Sequence, residues 1–219
     1  MSAFKKAGGV VTHRYPIYTD FKEQAGTATG HYFHQDLLVA TFINQAKPKR
    51  HIDVGSSMDG FVAHVASYRD IEVFDVRPLK NTGHDRIKFR QANLMVLDDS
   101  MTGICDSLSC LHALEHFGLG RYGDPIDPMG HIKGFNNFHK MLQSGGILYI
   151  SFPIGKSEVH FNAHRVFDPT EILDWSKNLF ELLRFDYVDD KGDLHCNASL
   201  VSPPTLSYGC GIYTLKKIS

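Results

Sequence analysis

The stretch HIDVGSSMDGF (residues 51–61), followed by IEVFDV (71–76), decides the fold. His51–Val54 is short, apolar-rich and closed by a glycine, which suits a buried parallel strand. Gly55–Asp59 then reads as a tight turn and Gly60–Tyr68 as a helix whose Phe61, Val62, Val65 and Ala66 face a sheet. A second strand at Ile71–Val76 carries Asp75 at its end, twenty-two residues after Asp53. Strand, glycine turn, helix, strand and terminal acid form the βαβ unit that presents a nucleotide-containing ligand at the carboxyl edge of an open sheet.

Upstream of this unit, HYFHQDLLVATFINQA (31–46) repeats its apolar residues near a period of 3.6 and predicts an amphipathic helix ended by Pro48. Downstream, strands are expected at 87–91, around 104–111, at 147–152, 185–188 and 211–215. A helix fits 131–142, closed by the turn Ser144-Gly-Gly146. Another begins at Asp168-Pro169 and runs through Trp175 to about Leu183. Residues 117–130 hold four glycines, two prolines and two aspartates, and so read as a long loop of the kind that carries function. The expected fold class is α/β, a seven-stranded and mostly parallel sheet with helices on both faces, in which the last strand slips antiparallel between its neighbours. Residues 1–30 read as an N-terminal arm and 31–219 as a single domain.

Composition narrows the function classes. A net charge of −1, with basic residues scattered, argues against nucleic acid as the main partner. No apolar run approaches the roughly 20 residues needed to cross a bilayer, and no apolar segment follows Lys5 and Lys6 to make a secretory signal. Cys105, Cys110, Cys196 and Cys210 show no paired spacing, which fits reduced thiols in a cytoplasmic protein. The oligomeric state is left open, with a homodimer among the options.

Four segments reach the ligand edge of the sheet: Asp53–Gly60, Asp75, Asn93 with Leu94, and Leu111–His116. Gly55 allows close backbone approach, and Ser56, Ser57 and the first helical N–H groups can donate to a ligand. Asp75 can accept ribose hydroxyls; Asn93 can read an adenine edge while Leu94 packs on its face. A dinucleotide site wants G-x-G-x-x-G. Here Ser57 stands where the middle glycine would be, which argues against NAD and a dehydrogenase.

On DVGSSMDG (53–60), FD (74–75), QANL (91–94), CDSLSCLHALEH (105–116) and LQSGGILYISFP (142–153), the chain resembles class I S-adenosylmethionine-dependent methyltransferases. More narrowly, 51–79, EHFGLGRYGDPIDPMGH (115–131) and FNAHRVFDP (161–169) resemble a little-characterised family of short methyltransferase-like proteins of unknown function. The resemblance covers roughly residues 30–183. It implies a Rossmann-like methyltransferase fold, S-adenosyl-L-methionine as cofactor, and Asp53, Gly55, Ser56, Ser57, Gly60, Asp75, Asn93 and Leu94 as the residues that hold it. Asp53 would orient the loop and the methionine end. The first motif departs from the family pattern at Ser57 and Asp59, so a cofactor-binding or assembly module without catalysis is the alternative to an enzyme.

Methyl transfer asks mainly for positioning, with a general base where the acceptor must lose a proton. His112, His116 and His164 are the candidate bases, and Arg165 a candidate clamp for an anionic acceptor. Glu115, Tyr122, Asp124, Asp127, His160 and Asn162 are the candidate contacts to a small polar acceptor such as a sugar or sugar derivative. Each has a plainer role beside it. His112 can hold a turn, Glu115 can pair with Arg121, and Arg165 can pair with Asp168 or Glu115. His31, His34, His64, His139 and His195 read as ordinary surface or helix residues. HALEH (112–116) has the outline of an inverted zinc-protease motif. It starts where a strand ends rather than inside a long helix, so no metal is assigned; a divalent ion that binds a hydroxylated acceptor through His112, His116, Asp124 or His164 is the lesser alternative.

Overall fold

The computed structural model describes residues 1–218. Its centre is an eight-stranded sheet in the order β3-β2-β1-β4-β5-β10-β8-β9. The strands are β1 (His51–Val54), β2 (Ile71–Asp75), β3 (Ile87–Gln91), β4 (Cys105–Leu111), β5 (Leu142–Ile154), β8 (Phe180–Val188), β9 (Leu194–His195) and β10 (Gly209–Lys217). β1, β2, β3, β4 and β5 run parallel. β10 is antiparallel to both β5 and β8, and β9 is antiparallel to β8. The sheet is therefore mixed and one strand wider than the seven-stranded, mostly parallel sheet expected. The two-residue β9 is too short to leave a hydrophobic pattern. Chain order reverses between β1 and β4, and that is where an open α/β sheet offers its crevice.

Helix α2 (His31–Ala46), a π-helical turn at Met58–Val62 and α3 (Ala63–Ala66) cover one face; α4 (Gly130–Met141) and α5 (Glu171–Ser176) cover the other. Val39, Ile43, Phe61, Val65, Val73 and Ile212 form the first core, and Ile52, Leu108, Phe135, Phe138, Phe152 and Tyr213 the second. Side chains alternate along a strand, so β1 sends Ile52 and Val54 to the second core and His51 and Asp53 to the first face. Those two polar groups lie in a buried row. His51 Nδ1 is 2.8 Å from Ser107 Oγ, and its Nε2 is 3.1 Å from Ser109 Oγ. Ser109 donates its own proton to Asp53 Oδ1 at 2.6 Å. Ser109 Oγ must therefore accept from His51 Nε2–H, which leaves Nδ1 to accept from Ser107. The ring is neutral in this arrangement, and burial pushes its pKa down to about 3.

Three further segments differ from the sequence reading. The second C-terminal helix stops at Ser176 rather than near Leu183, because Asn178 takes a left-handed φ of 61° and β8 already starts at Phe180. β5 starts at Leu142, not at Ile147. Leu142 is fully buried and pairs with Cys105, and the residues between bulge out around Gly145 before Ile147 pairs with Ser107. The polar segment after β5 is a small hairpin of β6 (Glu158–His160) and β7 (His164–Val166). The first thirty residues contain α1 (Ser2–Lys6) and a single turn at Asp20–Lys22, neither with a buried residue. No helix among the described residues is long and apolar enough to cross a membrane.

Candidate active site

The turn after β1 is held from behind by Asp53. This fully buried carboxylate accepts from Ser56 Oγ at 2.6 Å, Ser56 N at 3.1 Å and Ser109 Oγ at 2.6 Å. Burial raises its pKa to about 6, against the pull of those hydrogen bonds. Asp53 thus shapes the loop without reaching open space. Gly55 does reach it, with φ at 71° and no room for a side chain: a Cβ there would stand 2.9 Å from that of Ala113. Ser57 Oγ donates to Asp59. Gly60 lies outside the cavity, where its lack of a side chain lets Asp36 of α2 come close.

An open cleft of about 690 Å³ lies along the carboxyl ends of β1, β2 and β4. Gly55–Asp59 and Asp75 line one side, and His112, Glu115, His116 and Tyr122 the other. His31 and Tyr32 from the start of α2, His164 from the hairpin and Tyr208 before β10 close it. A smaller chamber of about 60 Å³ adjoins it, between Phe74, Asn93, Leu94, Met95 and Ala113. Asn93 Oδ1 accepts from Met95 N at 3.0 Å, fixing this apolar wall. Asp75 faces both spaces and is engaged by Arg77, whose Nη2 lies 2.5 Å from its Oδ2. The same guanidinium stacks 4.6 Å from the Tyr122 ring centre.

Across the cleft, His112 takes φ 50° as β4 turns into a 3-10 turn at Leu114–His116. That strain aims its ring at Glu115, with Nδ1 2.9 Å from Oε1. Both side chains are buried. Burial pushes His112 down, but the Cys210 sulfur and the Glu115 carboxylate outweigh it and raise its pKa well above the usual value. His116 Nδ1 donates to the Ala163 carbonyl at 2.7 Å, so its Nε2 carries the lone pair. Burial lowers the pKa of His116, which keeps it neutral and basic near pH 7. His164 lies on the rim, stacked on His160 at 5.0 Å, and burial lowers its pKa too.

Several residues singled out from the sequence are spent on the scaffold. Arg165 is buried, and its guanidinium donates to the carbonyls of Glu115, Phe117 and Pro128, bracing the 117–130 loop. Asp124 accepts from Gly118 N at 2.9 Å and Tyr122 N at 3.2 Å. Asp127 pairs with Lys133 at 2.5 Å, outside the cleft. His160 pairs with Glu158 at 3.0 Å and, with exposed Asn162, stands outside it too. Four groups that sequence reasoning missed join the site: His31, Arg77, Tyr208 and, behind the wall, Cys210. Arg77 had a local signal, two residues past Asp75. The other three come from opposite ends of the chain and had none.

With this geometry in hand, comparison with known proteins places the fold. A 1,6-didemethyltoxoflavin-N1-methyltransferase from Burkholderia thailandensis, solved with its substrate and S-adenosylhomocysteine, is 14% identical with a TM-score of 0.58, over 94% of this chain and 100% of that one. The (4+2)-cyclase SpnF is 14% identical with a TM-score of 0.62, over 99% and 92%. The N-methyltransferase NodS from Bradyrhizobium japonicum WM9, in complex with S-adenosylhomocysteine, is 11% identical with a TM-score of 0.55, over 87% and 89%. The chain therefore has an α/β Rossmann-like fold of the class I S-adenosylmethionine methyltransferase type. A family described as "Caenorhabditis protein of unknown function, DUF268" matches residues 84–184. No curated protein matches the chain. The cyclase among these neighbours shows that the fold alone does not set the reaction.

Proposed function

We propose that this protein transfers a methyl group from S-adenosylmethionine to a small polar acceptor. The observation that carries the reading is one continuous cleft running from the Gly55–Ser57 turn, past Asp75, to the lone-pair nitrogen of His116. The residues suit that cofactor. Gly55 leaves a cradle that a Cβ would fill, Asp75 offers a carboxylate at the ribose position of the fold, and Asn93, Leu94 and Met95 line an apolar chamber for a purine. The bound cofactor supplies an activated sulfonium methyl, so the chain's own task is to orient the acceptor and take its proton. His116 Nε2 is suited to receive that proton, because its other nitrogen is fixed on Ala163. A sugar is a narrower version of the acceptor. Of the residues that suggested a polyol, only Glu115 and Tyr122 line the main cleft, so the reading here stays with a small polar molecule.

Arg77 favours a second reading. It lies on the carboxylate that the cofactor ribose would use, as a cofactor-fold protein without transfer activity would allow. Calorimetric titration of the full chain with S-adenosylhomocysteine, S-adenosylmethionine and NAD tests the cofactor site, and an acceptor screen then separates the two readings. We expect both methyltransferase ligands to bind and NAD to be ignored; a chain that takes up neither ligand removes the enzyme reading. Given binding, a screen of hydroxylated, amino and thiol acceptors with labelled methyl donor should find a substrate. On it, His116→Ala should lower turnover by roughly 10²–10⁴ while leaving S-adenosylhomocysteine affinity intact. Unchanged turnover would dismiss His116 as the base.

A further inference from the structure

We propose that His31, His112 and Cys210 form a binding site for a zinc-class divalent metal ion at the rim of the cleft. One potential ligand atom from each lies within 4.8 Å of the other two. Tetrahedral zinc with nitrogen and sulfur ligands sets those atoms roughly 3.3–3.6 Å apart, which small side-chain rotations can reach. The three residues come from the start of α2, the end of β4 and the start of β10.

Unmatched polar atoms point to the same place. Among the described residues, the buried side-chain atoms with no hydrogen-bond partner are His112 Nε2, Glu115 Oε2 and His131 Nδ1. Two of the three belong to one His–Glu pair. A buried ring nitrogen without a hydrogen-bond partner is costly and marks a place where a ligand can bind. With Nδ1 held by Glu115, His112 Nε2 is turned toward the Cys210 sulfur, and a metal ion would take the place of the proton between them. Carboxylate, histidine and metal in line is the usual support of a ligating histidine. The Cys210 thiol donates to Gln35 Oε1 at 3.6 Å, a contact that ends when the thiol ionises, while Gln35 Oε1 keeps its bond from Ser151 Oγ at 2.6 Å. His31 stacks between His112 at 5.2 Å and Tyr208 at 5.6 Å.

The charges also balance. Binding expels the Cys210 thiol proton and the proton on His112 Nε2 to solvent, after which a dication, one thiolate and the Glu115 carboxylate sum to zero. Two imidazoles and a thiolate suit zinc or cobalt far better than magnesium or calcium. With three protein ligands the ion keeps an open position, and His31 and His112 turn that side toward the cleft. A hydroxyl or thiol could sit there with its pKa lowered. That use rests on the methyl-transfer reading; metal binding itself does not.

The test is metal analysis of the purified full chain after dialysis against zinc chloride, with cobalt(II) chloride as a spectroscopic probe. We expect about one zinc per chain and, with cobalt, a near-ultraviolet thiolate charge-transfer band. Cys210→Ser should abolish the band, His31→Ala should weaken zinc binding by at least about tenfold, and Glu115→Gln by roughly 10–100-fold. Cys196→Ser, at an exposed thiol, should leave the metal in place. His31 is only half-buried, at the end of a helix, so its variant is expected to fold even if Cys210→Ser does not. A folded wild-type chain that retains neither zinc nor cobalt overturns the site, as does zinc held equally by His31→Ala. S-adenosylhomocysteine titration on the same samples reads the cofactor separately. Zinc without cofactor binding leaves this site standing and removes its catalytic use; cofactor without zinc does the reverse.

Discussion

Asp53 and Glu115 are two buried acids on the same edge of the sheet, and they are provided for in opposite ways. Asp53 accepts from two hydroxyls and a backbone amide and has nothing left to offer. Glu115 holds His112 with one oxygen and leaves the other without a partner, while His112 has a free nitrogen of its own. A buried carboxylate whose partners are all internal is scaffold. One whose partners run out, facing a cleft, is waiting for a ligand. The same division separates Arg165 from Arg77. The first is committed to three backbone carbonyls, and the second lies over Asp75 and Tyr122 at the cleft, where a ligand can compete for it.

The largest expected effect tests that division directly. Asp53→Ala strands three buried donors and should lower unfolding free energy by roughly 3 kcal/mol in urea titrations, whereas Glu115→Gln keeps an acceptor for His112 Nδ1 and should cost less. Equal losses would erase the distinction between the two acids. His51, beside Asp53, gives a pH-dependent version. Its pKa is about 3 when folded and about 6.5 when unfolded, so the unfolded chain binds the extra proton between those values. Stability from this group is complete above about pH 6.5 and is lost as pH falls toward 3. It should amount to roughly 3 kcal/mol by pH 4. His51→Asn should flatten that acid slope relative to wild type; parallel slopes would show that the ring takes up its proton without unfolding. Gly55→Ala forces a left-handed φ on alanine against Ala113 and should cost about 1–2 kcal/mol, measured by thermal unfolding, together with weaker S-adenosylhomocysteine binding. The smallest effect is at Arg77. Its half-exposed bridge to Asp75 should contribute under about 1 kcal/mol, so Arg77→Ala should leave stability nearly unchanged. It should tighten S-adenosylhomocysteine binding a few-fold by freeing Asp75. Weaker binding would instead make Arg77 a cofactor contact.

Much of this was legible locally. The periodicity of 31–46 predicts α2 to the residue, and the short segments at 51–54 and 87–91 are predicted as β1 and β3. Each is a short-range pattern of burial against exposure. The hairpin at 158–166 was not legible, because Glu158, Val159 and His160 are all exposed and carry no alternation. Nor was the early end of α5, where helix-compatible Leu179 and Leu182 pack on the core from a turn and from β8 instead. Among candidate site residues, type alone did not separate Asp75 from Asp127 or His116 from His160. The difference lies in which internal partners consume each group, and those partners are distant in the chain.

The sequence by itself determined that this is a βαβ-built sheet with a glycine turn and an acid at its ligand edge, since strand period, turn chemistry and chain order are local properties. Only the tertiary structure decided which polar groups remain available. Arg165 is spent on the carbonyls of a loop far from it in sequence, while His31, His112 and Cys210 are brought to within 4.8 Å of one another from the beginning, middle and end of the chain. Availability depends on three-dimensional neighbours competing for each hydrogen bond, and no local pattern of residues encodes that competition.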